Sequence, residues 1–157
     1  MIKLQKVKKE ERDFFWNINQ KYLYEMTLYY PDEMDEQGNY HYGYFDAYFV
    51  DPERKAFFIY DDEKMIGFVM IHPYSVIGHQ PDYTMAEFTI FPAYRRNHYA
   101  LHAAKLILST YHGKWEIKYN EKNVGAKNLW TKVTEPYAPT VHRINELETV
   151  LELIIGI

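Results

Sequence analysis

The sequence predicts a mixed α/β domain over residues 1–157, with a sheet that is partly antiparallel. Three observations predict it. A strand and a long amphipathic helix open the chain, a two-strand hairpin occupies its middle, and strand–helix alternation takes over from residue 83. A hairpin requires antiparallel pairing, whereas strand–helix–strand order requires a parallel crossover, so both kinds of pairing meet in one fold.

Ile2 to Val7 reads as a short strand carrying Ile2, Leu4 and Val7. From Glu10 to about Tyr29 the apolar residues Phe14, Phe15, Ile18, Tyr22, Met26 and Tyr29 recur at helical spacing, giving a helix or helix pair stopped by Pro31. Residues 31–54 mix Pro, Gly, Asn and acids with aromatics, which predicts a long loop with one short helix at Tyr44 to Phe49. Ala56–Tyr60 and Met65–Ile71, joined by Asp61–Lys64, read as the hairpin. A connection from Pro73 to Pro81 leads to a strand from Tyr83 to Phe91, closed by Pro92. Leu101 to Tyr111 is the clearest helix, with Ala103, Ala104, Ile107 and Leu108 on one face and Gly113 at its end. Lys114 to Tyr119 alternates as a strand, Val124 to Val133 reads as a short helix, and Val141 to Ile155 holds one or two closing strands.

Composition limits the function. A net charge of −4 and a pI near 6.0 argue against a nucleic-acid partner, which needs a basic field. No apolar run is long enough to span a membrane and no apolar signal core follows the basic N-terminus, so the expected setting is cytoplasmic with no membrane partner. With no cysteine there is no disulfide, thiol nucleophile or thiolate metal site, and no metal is expected. The 16 Tyr and 9 Phe suit either a wide, partly wet groove or a plain Tyr-rich core.

The chemistry lies in Ala86-Glu87-Phe88-Thr89-Ile90-Phe91-Pro92-Ala93-Tyr94-Arg95-Arg96-Asn97-His98-Tyr99-Ala100, a strand, a turn with two arginines and a helix start. Unpaired amides at a helix N-terminus attract anions, and two arginines beside them suit a pyrophosphate. An ordinary surface turn with solvated arginines is the competing reading.

This stretch resembles the acyl-CoA-binding signature of GNAT acetyltransferases, Arg/Gln-x-x-Gly-x-Gly/Ala after a strand, with Arg95 on its first position and Ala100 on its last. His98 stands where the family carries glycine. A second match follows: Asn123, Ala126, Leu129 and Trp130 resemble the family's Asn-x-x-Ala-x-x-Leu-Tyr/Trp text. The resemblance implies a twisted mixed sheet of six to seven strands with one splayed pair and helices on both faces. It implies acetyl-CoA as co-substrate and direct transfer to a primary amine of a small molecule or peptide, in a monomer or homodimer.

Residue by residue, it implies that Thr89, Ile90 and Phe91 offer main chain to the pantetheine arm. The amides of Arg96, Asn97, His98, Tyr99 and Ala100, with the Arg95 and Arg96 guanidiniums, would hold the pyrophosphate, and Asn123 the far side of the gap. A bulge amide near Ile90 or Phe91 would stabilise the oxyanion. Trp130, where many members have an acid tyrosine, would pack on the acyl or pantetheine arm or be plain core. Glu87 is the leading base, set against a purely structural carboxylate, with Tyr137, Glu116 and His72 as alternatives. Asp32, Glu33, Asp35 and Glu36 would draw an amine acceptor toward the 31–54 loop. A catalytically degenerate acyl-CoA-binding sensor or interaction protein is the rival reading, and a Tyr-rich carbohydrate or peptide binder the third.

Overall fold

The computed structural model describes residues 1–156. Seven strands form one sheet: β1 (Ile2–Lys6), β2 (Lys55–Asp61), β3 (Lys64–His72), β4 (Tyr83–Ile90), β5 (Gly113–Asn120), β6 (Thr140–Arg143) and β7 (Glu148–Ile155). Their spatial order is β1-β2-β3-β4-β5-β7-β6. Every neighbouring pair is antiparallel except β4 and β5, which the α/β crossover makes parallel.

Three helices cover the sheet: α1 (Arg12–Met26), α2 (Tyr99–Thr110) and α3 (Val124–Thr134). On one face, Phe15 of α1 sets its ring edge-on against Phe58 and Phe68, with centroids 5.7 and 5.2 Å away, and Phe45 of the long loop joins them. On the other face Ile107 and Leu108 of α2 and Trp130 of α3 pack with Trp115 and Ile117 of β5. Period-two alternation along the strands sends successive residues to these two cores.

The first helix is shorter than the sequence expectation, while the closing segment falls within it. The first helix is single, preceded by a 3₁₀ turn at Lys9–Glu11, and it ends at Met26 rather than near Pro31. Its end is set by Thr27, whose hydroxyl donates to the Tyr24 carbonyl at 2.6 Å, after which Leu28 and Tyr29 continue as turns. The closing segment is two strands, joined by a turn in which the Asn145 side-chain oxygen accepts from the Leu147 and Glu148 amides. Among the described residues no helix is long and apolar enough to cross a membrane.

The feature that positions the site is the brevity of the parallel pairing. β4 and β5 pair only at Tyr83 with Trp115, Thr84 with Glu116 and Met85 with Ile117. Beyond Met85 both strands continue, each held by its other neighbour, and a wedge opens between them. The divergence begins where Ala86 has no partner on β3, since Met70 faces Glu87 and Ile71 faces Met85. An extra residue of this kind kinks its strand and raises its twist.

Candidate active site

Glu87 stands immediately after that extra residue, on the face of β4 covered by α1. Its carboxylate accepts from the Tyr22 hydroxyl of α1 at 2.9 Å and the Tyr42 hydroxyl of the long loop at 2.8 Å. It is half-buried among aromatic rings. Burial raises its pKa above the ordinary 4.5, while the two phenols and the Lys118 ammonium partly offset that effect. Burial and the adjacent Glu87 charge push both phenols far up, so they remain donors throughout the physiological range. A carboxylate with a raised pKa, pinned at both oxygens beside an open wedge, is equipped to accept a proton.

Across the wedge, Lys118 of β5 pairs with Glu148 of β7 at 3.0 Å, and the Tyr30 hydroxyl donates to the same carboxylate at 2.9 Å. Burial and that bond raise the Tyr30 hydroxyl to about 12. The Asn120 side-chain oxygen accepts from the Lys122 amide, and its Nδ2 is buried beside Tyr30 without an acceptor in hydrogen-bond geometry.

The β4 edge is divided by the sheet's own bonding. The Phe91 amide donates to the Ile66 carbonyl at 2.7 Å, so antiparallel alternation turns the main chain of Phe88 and Ile90 away from β3 and toward the wedge. This corrects the expectation that Thr89 and Phe91 offer main chain to the pantetheine arm, and that a bulge lies at Ile90–Phe91. The irregularity is at Ala86, and Ile90 is the residue of that pair whose amide is turned toward the wedge. Close approach of β3 to this edge requires Gly67, since a Cβ there would lie 2.0 Å from the Thr89 carbonyl oxygen.

Arg95 is engaged with protein. Its Nε donates to the Ile90 carbonyl at 2.7 Å and its two terminal nitrogens grip Glu25 of α1 at 2.5 and 2.7 Å. This bidentate pair ties α1 to the end of β4 and corrects the expectation of an Arg95 side chain free for phosphate. Arg96 is exposed and makes no ion pair or side-chain hydrogen bond among the described residues. Arg96 and His98 both adopt left-handed backbone, with φ of 67° and 61°, the region in which the family's glycine would be strain-free. The Asn97 side chain donates to the Tyr94 and Arg95 carbonyls, and no side chain caps the α2 N-terminus that follows. The first amides of α2, at Tyr99 and Ala100, therefore lack intrahelical acceptors. Tyr99 itself points its hydroxyl to Asp61, at 2.8 Å.

Asn123, expected on the far side of the gap, is the N-cap of α3, its side-chain oxygen accepting from the Ala126 amide at 3.1 Å. Trp130 is 4% exposed and meets Phe88 edge-on at 5.1 Å, so it is core that walls the wedge from the α3 side. Tyr137 lies on a 3₁₀ turn beyond α3, 40% exposed, and among the described residues no hydrogen bond joins it to Glu87. Glu116 is fully buried but structural, since it accepts from the Ser75 hydroxyl and the Val76 amide and so fastens the β3–β4 loop. The His72 Nδ1 accepts from the Tyr74 amide, and burial lowers its pKa. Asp35 folds its own loop by accepting from the Gln37 and Asn39 amides.

A cavity of about 630 Å³ lies between α1 and the end of β4. Tyr22, which holds Glu87, lines it together with Thr89 and Phe91. Far from it, His79, His142 and Glu152 bring three potential metal-ligand atoms within 4.8 Å of one another, the one such group among the described residues. Both Glu152 oxygens already accept from those imidazoles at 2.9 and 3.0 Å, with the Lys114 ammonium 3.4 Å away, so the group serves as a clip between the β3–β4 loop and the β6–β7 hairpin.

Residues 13–134 match the sequence profile of the Acetyltransferase (GNAT) family. The chain belongs to the GNAT acetyltransferase family. Its fold is shared with the spermidine N-acetyltransferase of Vibrio cholerae solved with CoA and spermine, at 17% identity and a TM-score of 0.65, covering 98% of this chain and 94% of that one. An acetyltransferase of Thermus thermophilus aligns at 13% identity and a TM-score of 0.67, covering 99% and 97%. The Campylobacter jejuni N-acetyltransferase PseH, solved with acetyl coenzyme A, aligns at 13% identity and 0.62, covering 99% and 100%. No curated protein matches the chain.

The sequence missed Tyr22 and Tyr42 as site residues because their bonds to Glu87 join positions 65 and 45 residues apart.

Proposed function

We propose that this chain, acting as one domain, transfers an acetyl group from acetyl-CoA to a primary amine by direct attack, with Glu87 as base. The observation that carries the reading is a raised-pKa carboxylate, held by two phenols, at the mouth of the β4–β5 wedge. Acetyl-CoA would enter the wedge along the Phe88–Ile90 edge, beside Thr89 and Phe91. Its pyrophosphate would meet the Arg96–Ala100 amides and the Arg96 guanidinium. Asn123 and Trp130 line the opposite wall, and no metal takes part. The CoA and acetyl coenzyme A in the solved relatives support this cofactor.

The proton balance fits the residues. An alkylammonium with a pKa near ~10.4 must lose a proton before it can attack, and Glu87 takes it. Nitrogen then bonds to the thioester carbon, and the Ile90 amide steadies the oxyanion. The C–S bond breaks, the second nitrogen proton ends on the leaving sulfur, and the proton on Glu87 passes to solvent. Trp130 has no acidic group to offer, but a thiol of pKa about 8.5 leaves without one. The buried Trp130 is also what favours the second reading, a binder of acyl-CoA without turnover.

Glu87→Gln tests the assignment. Turnover should fall about 10²-fold or more at neutral pH, and the loss should shrink at high pH where the amine is already neutral. Near-normal turnover at neutral pH would remove Glu87 from the chemistry.

A further inference from the structure

We infer that the acceptor is a monoamine on an apolar body, seated in the groove between α1 and the end of β4, and not a polycation. The inference rests on the acetyl-transfer reading above and concerns the same site. An acetyl group and an amine nitrogen fill a small part of about 630 Å³, a volume in the range of sites for whole small molecules. The groove therefore has room for the body of the acceptor.

Its walls say what that body is. Ile18, Tyr24 and Leu28 line one side and Phe91 and Pro92 the other. Tyr24 and Leu28 are 63% and 71% exposed, an apolar surface left open along α1. The groove reaches the chemistry through Tyr22, whose hydroxyl is 2.9 Å from Glu87. An amine bound there can point its nitrogen at Glu87 while its body lies along α1.

The charges exclude a second ammonium. Only Lys21 and Glu25 among the lining residues are charged. Glu25 is gripped by both terminal nitrogens of Arg95, so its charge is already compensated. Lys21 is exposed and bears a positive charge with no ion-pair partner among the described residues. A second cationic group on the acceptor would meet Lys21 and find no open carboxylate. None of Asp32, Glu33, Asp35 and Glu36 lines the groove, so the acidic loop does not supply one. The walls thus select apolar area and reject added positive charge, unlike a polyamine site.

The test compares phenethylamine and hexylamine with spermidine as acceptors for the full chain, alongside Kd for acetyl-CoA by calorimetry. The wild type should show kcat/KM at least 10-fold higher for the two monoamines. Leu28→Asp, at an exposed position, should raise monoamine KM about 10-fold and leave the acetyl-CoA Kd unchanged. Lys21→Glu should narrow the preference by improving spermidine. Spermidine preferred by the wild type overturns the inference. So does a Leu28→Asp variant that weakens acetyl-CoA without changing amine KM, which would make the groove the cofactor's, or one that changes neither. A wild type that binds no acetyl-CoA, or binds it and acetylates no amine, would instead defeat the acetyl-transfer reading itself and this inference with it.

Discussion

Replacing Tyr42 with phenylalanine removes one of the two hydroxyls that hold Glu87 and leaves the aromatic packing in place. The lost bond is short, 2.8 Å, and its acceptor is a half-buried carboxylate. A hydrogen bond to a charged group contributes about 1.5–3 kcal/mol, and one pKa unit corresponds to about 1.4 kcal/mol, so the Glu87 pKa should rise by about 1–2 units. The wild-type value already lies above 4.5 because burial disfavours the anion and the phenols only partly offset it. Activity needs the anion, so kcat/KM should fall as pH drops through the Glu87 pKa, and Tyr42→Phe should move that acid limb upward by about 1–2 pH units. The stability sign follows the same shift. A carboxyl whose folded pKa is raised stabilises the fold fully below its unfolded pKa and loses that contribution as pH rises through the folded value. The variant should therefore be nearest to wild type in stability at acid pH and fall behind at neutral pH. The assay is the pH profile of kcat/KM with a fixed amine, paired with melting curves across the same range. An acid limb that stays in place or moves downward would refute the reasoning, because Tyr42 would then not be stabilising the reacting anion.

Three further outcomes follow from the same geometry. Arg95→Ala should weaken intact CoA and a pantetheine fragment alike and lower stability by about 1 kcal/mol, the scale of a half-exposed bidentate pair, because Arg95 ties Glu25 to the end of β4. Selective loss of intact CoA, by calorimetry, would return Arg95 to the phosphates. His98→Gly should be tolerated, with a melting temperature equal to or a few degrees above wild type, since glycine relieves a left-handed backbone at φ 61°. Gly67→Ala should cost about 3 kcal/mol or more in chemical denaturation, because the added Cβ meets Thr89 main chain that cannot swing aside. A mild loss would show that β3 and β4 can separate at Gly67.

The strands and helices were legible where one local period dominated. Two apolar runs around Asp61–Lys64 gave the β2–β3 hairpin, alternation gave β5 and helical spacing gave α2. The turn from Pro92 to His98 was legible through its resemblance to the family signature, and the splayed pair came with that resemblance. What local spacing could not carry was every contact between distant segments. Arg95 lies 70 residues from Glu25, so its use as a tie rather than a phosphate ligand depends on where α1 lands. The unpaired Ala86 depends on the register of β4 against β3, and no residue type announces it. Asn123 carried a visible N-cap signature that the family text overshadowed. Glu87 was legible as a carboxylate on β4, but the two phenols that hold it were not.

The most direct test of the account is a single-turnover experiment with excess protein over acetyl-CoA, following thiol release with and without phenethylamine at neutral pH. Direct attack at the Glu87 wedge predicts no acetylated protein and slow thiol release without amine, then fast stoichiometric release and one equivalent of N-acetylated amine when it is present. Acetyl-CoA that binds but releases thiol at the same slow rate with any amine would contradict the account and leave an acyl-CoA-binding protein in its place.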